Sequence, residues 1–362
     1  MKAYRFYRLS RSRDVKRPYP FTGVRPFYIG TMREKKYCEK LKPLHIALLV
    51  VLPVICAAAC LCVGRMALTL REVLSALLGG ENCAVVRSMR LPRILLAGLV
   101  GAGLSVSGCV FQSMFSNPLA TPDTLGVASG ASFGAALALL MGFKLVGVQI
   151  TAFVFGAAAI ALTWLSGLGR RSEKNTMILS GIMIGSLFSA LVSLVKYTAD
   201  TESELPAITY WLMGSLASAG YGSLRLGAPV IGACLLTVFC LRWRLDLLPL
   251  SDDEARTLGV NIRALRCVLA VCAAAMTASC VAMCGQVGWV GLLVPHVCRM
   301  RFGSRHARLV PACVSLGAAF MMLVDTAARS LTAAEIPISV LTAVVGAPFF
   351  IIMLRRSGGW EL

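Results

Sequence analysis

Hydrophobic residues in this chain occur in long runs separated by short polar segments. Ten runs are close to the length of about twenty residues that an α-helix needs to cross the ~30 Å hydrocarbon core of a bilayer. They cover residues 44–63, 92–113, 124–142, 146–168, 176–196, 224–243, 263–283, 287–302, 309–330 and 336–354. The eighth run is short and interrupted by glycine and proline, so we expect that span to be irregular. The pattern predicts an all-α polytopic membrane protein of about ten transmembrane helices.

The composition supports this fold class and excludes two others. Of the 362 residues, 57% are hydrophobic and 15% are charged. Soluble proteins carry about 25% charged residues, so a soluble fold is a poor match. The runs also lack the alternating pattern of about ten residues that marks a transmembrane β-barrel strand.

The distribution of basic residues predicts the orientation of the ten spans. An even number of spans places both termini on one side of the membrane. If that side is the cytoplasm, the inner segments carry 27 lysines and arginines and the outer segments carry nine. Because cytoplasmic loops are enriched in these residues, we expect both termini to be cytoplasmic.

Much of the net charge of +19 lies before the first span. Residues 1–43 contain 13 lysines and arginines against three acids, and no nucleic-acid motif accompanies them. We interpret them as a basic cytoplasmic extension, followed by a ten-span domain over 44–356 and a cytoplasmic tail over 357–362. Met32 precedes the basic stretch REKKYCEKLKP, so residues 1–31 are expected to be dispensable or a mis-assigned start.

A short polar segment between the sixth and seventh spans has strong helix signals. Ser251 and Glu254 form a capping-box pattern, Asp252 and Asp253 suit the first turn, and Gly259 suits the left-handed end. Ala255 and Leu258, with Leu250, give one apolar edge. The segment is either a well-formed cytoplasmic loop or a rigid contact for another protein. Its members are Ser251, Asp252, Asp253, Glu254, Ala255, Leu258 and Gly259.

Small residues and helix breakers mark places where the spans pack closely or open. One row of small residues is Gly130, Gly134 and Ala138; a second row is Gly181, Gly185 and Ser189. Such rows allow close helix packing in lipid, within one chain or between two. Breakers recur in residues 116–126 and 285–296, where Pro295 and His296 end the second stretch. Irregular backbone at membrane depth is tolerated where it is buried in protein or lines a watery cavity, so these stretches favour a translocation path.

Five of the nine predicted outer cations lie in residues 64–93. They either reach toward the interface from helix ends or form a surface that accepts an acidic partner. Arg90 and Arg93 belong to this segment. Asp325 and Arg329 are four residues apart on one face of the ninth span, so they form a local ion pair or place Arg329 with Arg90 and Arg93 in that surface.

The chain offers little for catalysis. The three histidines and 14 cysteines show no metal-ligand spacing. There is no phosphate-binding G-x-x-x-x-G-K-[ST] loop, so nucleotide hydrolysis is not expected on this chain. These observations predict a transporter rather than an enzyme, with no metal site and no cofactor bound directly. An ion-gradient-driven secondary transporter remains the alternative, although Asp325 is the single acid within a span.

Several stretches resemble the permease subunits of ABC importers for iron-siderophores, haem and vitamin B12, the FecCD-type family. The most similar stretch begins MRLPRILLAGLVGAGLSVSGCVFQSMFSNPLATPDTLG, and others are YWLMGSL, GQVGWVGLLVPHVCRM, HARLVP, VDTAAR and EIPISVLTAVVGAPFFIIMLRR. They follow the family order between about Leu44 and Arg356. Residues 1–31 have no counterpart in the family.

The resemblance implies a transporter subunit with defined partners. It implies a homodimer, or a heterodimer with a paralogous permease, in the bacterial cell membrane, with a path between the subunits and two five-span halves related by inversion. Cytoplasmic ABC ATPase subunits would engage residues 251–259 and would hydrolyse the ATP. An extracytoplasmic binding protein would meet Arg90, Arg93 and Arg329. The expected cargo is an iron complex, with haem and cobalamin as alternatives.

Overall fold

The computed structural model describes residues 43–166, 174–250, 254, 257, 259–332 and 334–356. Within these ranges the chain is helical and contains no β-strand. The α-helices there are α1 Pro43–Cys62, α2 Leu70–Leu78, α3 Leu91–Met114, α4 Val127–Leu140, α5 Leu145–Ser166, α6 Lys174–Thr198, α7 Glu204–Leu212, α8 Tyr221–Leu241, α9 Ile262–Cys284, α10 Val290–Phe302, α11 His306–Ser330 and α12 Ile338–Arg356. The predicted all-α polytopic fold is confirmed.

Ten of these helices coincide with the ten predicted spans, and α2 and α7 are additional short helices between spans. Among the described residues, six helical segments are long and apolar enough to cross a membrane. Shorter apolar helical stretches cover Ala47–Cys62 of α1, Val127–Leu140 (α4) and Ile338–Ile352 of α12. The sequence does contain a signal for α2. Thr69 and Glu72 form a reciprocal capping box at its start, and Gly79, at φ 104°, ends it.

The helix α3 lies at the centre of the bundle. The most apolar stretch of Ala84–Met114, which includes α3, is 83% buried, whereas the corresponding stretches of α5, α6 and α8 are 17–28% buried. Glycines let its neighbours approach backbone to backbone. A Cβ added to Gly101 would lie 2.1 Å from the Gly317 oxygen of α11, and one added to Gly108 would lie 1.9 Å from the Gly291 oxygen of α10. The core therefore forms around the second predicted span.

Irregular backbone occurs beside the spans, as the breakers predict. A π-helical turn over Ala84–Arg90 leads into α3, and a 3₁₀ turn over Pro122–Leu125 leads into α4. Before α10, Trp289 adopts φ 67°, a left-handed conformation that is uncommon for a bulky residue. The eighth span is consequently a helix of only 13 residues.

Candidate functional site

The predicted coupling segment, residues 251–259, is described only in part. Ser251, Asp252, Asp253, Ala255 and Leu258 lie outside the described residues. Glu254 is exposed, and its carbonyl accepts a 2.7 Å hydrogen bond from the Thr257 hydroxyl. Gly259 has φ 70°, the left-handed conformation expected at a helix end. This end signal is confirmed, and the contact with an ATPase stays a prediction.

The chain that leads into this segment is firmly anchored to the bundle. Leu245 and Leu248 are completely buried. Arg266 of α9 donates from Nη2 to the Leu250 carbonyl at 2.7 Å. The polar segment at 251–259 therefore begins from a fixed base rather than from a free loop.

Asp246 joins this base to the start of α11. Its Oδ1 accepts the backbone N–H of His306 at 3.0 Å and lies 2.5 Å from His306 Nδ1. A negative charge is favourable there because the N-terminus of a helix carries partial positive charge. Burial raises the pKa of Asp246, but the hydrogen bonds and the charge of His306 lower it by more. The pKa of Asp246 is therefore below the usual aspartate value. Sequence reasoning missed this pair, and its one signal was the HARLVP motif.

At the other end of the bundle, Arg93 of α3 binds two acids. Its guanidinium donates to both oxygens of Asp325 at 2.9–3.1 Å and to both oxygens of Glu335 at 2.9 Å. The Asp325 side chain is completely buried. Arg329 lies farther from this carboxylate, at 3.9 Å. The bond to Arg93 lowers the pKa of Glu335, which lies beyond the end of α11.

Arg90 and Arg329 are turned inward, toward backbone carbonyl groups. Arg90 Nη1 donates to the Leu61 carbonyl at 2.6 Å, and its Nη2 donates to that of Met66. Arg329 donates to the Cys60 carbonyl at 2.6 Å. The two arginines are only 6% and 8% exposed. Their N–H groups satisfy carbonyl groups at and beyond the end of α1, so they lie inside the bundle. Contact of Arg90, Arg93 and Arg329 with a binding protein stays a prediction.

Other arginines at the same end of the bundle are exposed. Arg65, Arg71 and Arg87 are exposed there. Arg87 is held in place, since its Nε donates to the Leu77 carbonyl at 3.0 Å and its own carbonyl accepts from Tyr221 at 2.8 Å. We call these three residues the outer arginine surface.

The first row of small residues packs within the chain. A Cβ on Gly130 would lie 2.7 Å from the Ala159 Cβ, and one on Gly134 would lie 2.5 Å from the Thr151 carbonyl. Both neighbours belong to α5. These two glycines therefore bring α4 and α5 together, which resolves whether the row acts inside one chain or between two.

The second row divides between two environments. Gly181 of α6 faces the turn before α4, where a Cβ would lie 2.2 Å from the Thr124 carbonyl. Gly185 is half-buried near Gly126, whereas Ser189 is exposed. The exposed face of α6 also carries Ser186 and Ser193, whose hydroxyls bond to the carbonyls four residues earlier.

Pro295 and His296 lie on α10 between α3 and α12. Pro295 is buried, and the His296 ring is half-buried, 6.2 Å from the ring of Phe350 on α12. Trp289, just before α10, packs against Gly346, where an added Cβ would lie 2.8 Å from its indole. Within the described ranges, no three His, Cys, Asp or Glu residues are grouped so as to hold a metal ion.

Comparison with known proteins identifies the family of this chain. Residues 49–356 match the model of the FecCD transport family. A molybdate import system permease protein of Haemophilus influenzae is 44% identical over 278 residues, which are 76% of this chain and 82% of that protein. A probable iron chelatin transport system permease protein of Helicobacter pylori (strain 26695) is 36% identical and covers 88% of this chain and 99% of its own length.

A solved structure agrees with these sequence matches. An inward-facing structure described as a metal-chelate type ABC transporter aligns with a TM-score of 0.80 and 40% identity. The alignment covers 87% of this chain and all of the other. The family match covers most of α1 and all of the other nine helices that coincide with the predicted spans. The chain therefore belongs to the FecCD transport family.

Proposed function

We propose that this permease subunit of an ABC importer carries a metal-containing compound, of which an iron chelate is the leading candidate and haem and cobalamin are alternatives. The family makes the chain a multi-pass protein of the bacterial inner membrane, with ATP used by a partner ATPase. The observation that carries the proposal is the match over residues 49–356, which includes the coupling segment, most of the first span and the other nine spans.

Molybdate is the second candidate cargo. The molybdate permease of Haemophilus influenzae has higher identity, 44%, than the iron chelatin permease, 36%. Both cargoes are presented to the membrane as metal-containing species, but a molybdate ion is much smaller than a ferric chelate. Uptake of radiolabelled ferric citrate and of radiolabelled molybdate by cells with and without the importer distinguishes them. Accumulation of neither probe would reject the cargo class.

The path is proposed to lie between two copies of the chain, or between this chain and a paralogous permease. The support is the exposed face of α6, where Ser186, Ser189 and Ser193 form a line of small polar side chains. Serine hydroxyls gain nothing from contact with lipid chains. Along a translocation path, the same residues offer polar groups without bulky side chains. Cysteine substitution at Ser189 should become reactive toward a water-soluble thiol reagent; protection from the reagent in every state would contradict this.

ATPase docking on residues 251–259 is the second part of the proposal. Its support is the exposure of Glu254, Thr257 and Gly259, together with the buried Leu245 and Leu248 that precede the segment. Leu258→Asp should prevent co-purification of the ATPase, because a charge replaces the apolar edge of the predicted helix. Thr257→Ser is the matched control and should leave co-purification intact. Equal recovery of the ATPase with both variants would reject this docking site.

A secondary transporter needs an acidic side chain that can bind and release the coupling ion along the translocation path. Asp325 does not meet this need, because its side chain is completely buried and is bound by Arg93. A buried carboxylate with a bidentate arginine partner is a structural ion pair. The described geometry therefore agrees with an importer driven by a separate ATPase.

A further inference from the structure

Three side chains from different elements form a hydrogen-bonded row near the coupling segment. Asp246 precedes the segment, His306 begins α11, and Ser113 lies in the last turn of α3. His306 Nδ1 lies 2.5 Å from Asp246 Oδ1, and His306 Nε2 is hydrogen-bonded to the Ser113 hydroxyl. Ser113 and His306 are buried, at 9% and 8% exposure. Three separate elements thus meet at one imidazole ring.

The directions of these hydrogen bonds can be assigned. The Ser113 hydroxyl has one hydrogen, and it donates to the Cys109 carbonyl at 2.9 Å, so it accepts from His306 Nε2–H. The Asp246 carboxylate accepts from Nδ1–H on the other side. The ring therefore donates from both nitrogens and pairs with Asp246 as a cation. Charge-assisted hydrogen bonds of this kind are stronger than bonds between neutral groups.

The linkage lies where the coupling segment is attached. Asp246 is five residues before Ser251, and the intervening chain is held by Leu248 in the core and by Arg266 on the Leu250 carbonyl. A displacement of the segment therefore passes through these two anchored residues to Asp246. Asp246 binds His306, which is the first residue of α11 and contacts α3 through Ser113. Because α3 is the central helix, a displacement at this point reaches α9, α10 and α11.

We propose that Ser113, His306 and Asp246 form a positioning linkage that transmits movement of the coupling segment into α3 and α11. This inference rests on the proposed docking of an ATPase at residues 251–259. If the linkage is lost, we expect ATP hydrolysis to continue while transport falls. Misfolding would instead stop both. The relevant quantity is the amount of cargo moved per ATP hydrolysed.

The test uses the assembled importer, with its ATPase and binding protein, in proteoliposomes supplied with radiolabelled ferric citrate or molybdate. His306→Gln and Asp246→Asn should each lower the amount of cargo moved per ATP about tenfold, because each removes a charge-assisted bond of a buried group. Ser113→Ala should have a smaller effect in the same direction, since it removes a neutral acceptor. The ATPase rate of the variants should stay within about twofold of the parent.

A control variant and the parent protein keep the outcomes distinct. Arg301→Gln, an exposed residue near the end of α10 whose guanidinium lies over the Phe302 ring, should leave the ratio of cargo to ATP unchanged. A merely structural role would lower uptake and ATPase rate together, in proportion to the assembled complex recovered, and would leave that ratio unaltered; this result overturns the linkage. If the parent protein itself neither binds an ATPase nor takes up cargo with ATP, the proposed function fails instead.

Discussion

Arg93 on α3 and Asp325 on α11 are 232 residues apart in the chain, and their side chains form a buried ion pair with three hydrogen bonds of 2.9–3.1 Å. Glu335 binds the opposite side of the same guanidinium. Arg93 thereby joins the central helix to α11 through Asp325 and to the segment between α11 and α12 through Glu335. One arginine thereby satisfies two acids near the end of the bundle that is predicted to face outward.

The first prediction concerns this ion pair. Asp325→Asn should lower the free energy of unfolding by about 3 kcal/mol or more, because it leaves the Arg93 cation without its buried partner. Glu335→Gln is the matched control, since Glu335 is more exposed, and should cost about 1 kcal/mol or less. Thermal unfolding in detergent, followed by tryptophan fluorescence, measures both. Equal decreases in the free energy of unfolding would show that the buried Asp325 stabilises the fold no more than Glu335 does.

The second prediction concerns acid stability. The hydrogen bond from Arg93 lowers the folded-state pKa of Glu335, so ionised Glu335 stabilises the fold. That contribution is fully present above the unfolded glutamate pKa of about 4.3 and is lost as pH falls through the lower folded value. Glu335→Gln should therefore lose less stability between neutral and acidic pH than the parent protein. Parallel stability curves for both proteins would contradict the assigned pKa direction.

The third prediction compares two glycines of α3. Gly108→Ala should prevent correct packing, or cost about 3 kcal/mol or more, because the new methyl group would lie 1.9 Å from the Gly291 carbonyl oxygen. In Gly98→Ala the nearest atom to the new methyl group is the Met322 sulfur, at 3.6 Å, an ordinary contact distance. That control should fold normally. Similar yields of monodisperse protein from both variants would show that α10 does not approach α3 this closely.

The fourth prediction concerns the outer arginine surface. Arg71→Glu should weaken capture of the extracytoplasmic binding protein about tenfold at low salt, and the difference should shrink at high salt because exposed charges are screened. Arg90→Glu should instead reduce the yield of folded protein, since Arg90 is buried against backbone carbonyls. Surface-binding measurements across ionic strength distinguish the two effects. Normal folding of Arg90→Glu with loss of capture would restore Arg90 to the docking surface.

The spans were predictable because hydrophobic length is a local signal. Each predicted run overlaps one helix, and even the short α10 follows from the glycines and Pro295 in its sequence. The short helix α2 could also have been found, since Thr69 and Glu72 have the capping-box spacing. The exact ends of the helices and the turns with unusual backbone conformation were harder to predict. Nothing in the residue types around Trp289 indicates a left-handed backbone.

Long-range polar contacts were not predictable from spacing. The i, i+4 rule correctly placed Asp325 and Arg329 on one face, but Arg93, from a distant helix, makes the closer contacts with the carboxylate. Arg90 and Arg329 looked like surface cations because the sequence does not show which carbonyls at and beyond the end of α1 need donors. Asp246 and His306 were missed for the same reason, since their meeting depends on how α8 and α11 are brought together.

Reconstituted transport tests the central claim most directly. The permease is placed in sealed vesicles with its ATPase and binding protein, and accumulation of labelled ferric citrate or molybdate is followed with ATP, without ATP, and with an imposed proton or sodium gradient. Accumulation that requires ATP, and that survives collapse of both ion gradients, is the predicted result. Accumulation by the permease alone, driven by an ion gradient with no nucleotide present, would contradict a permease powered by a separate ATPase.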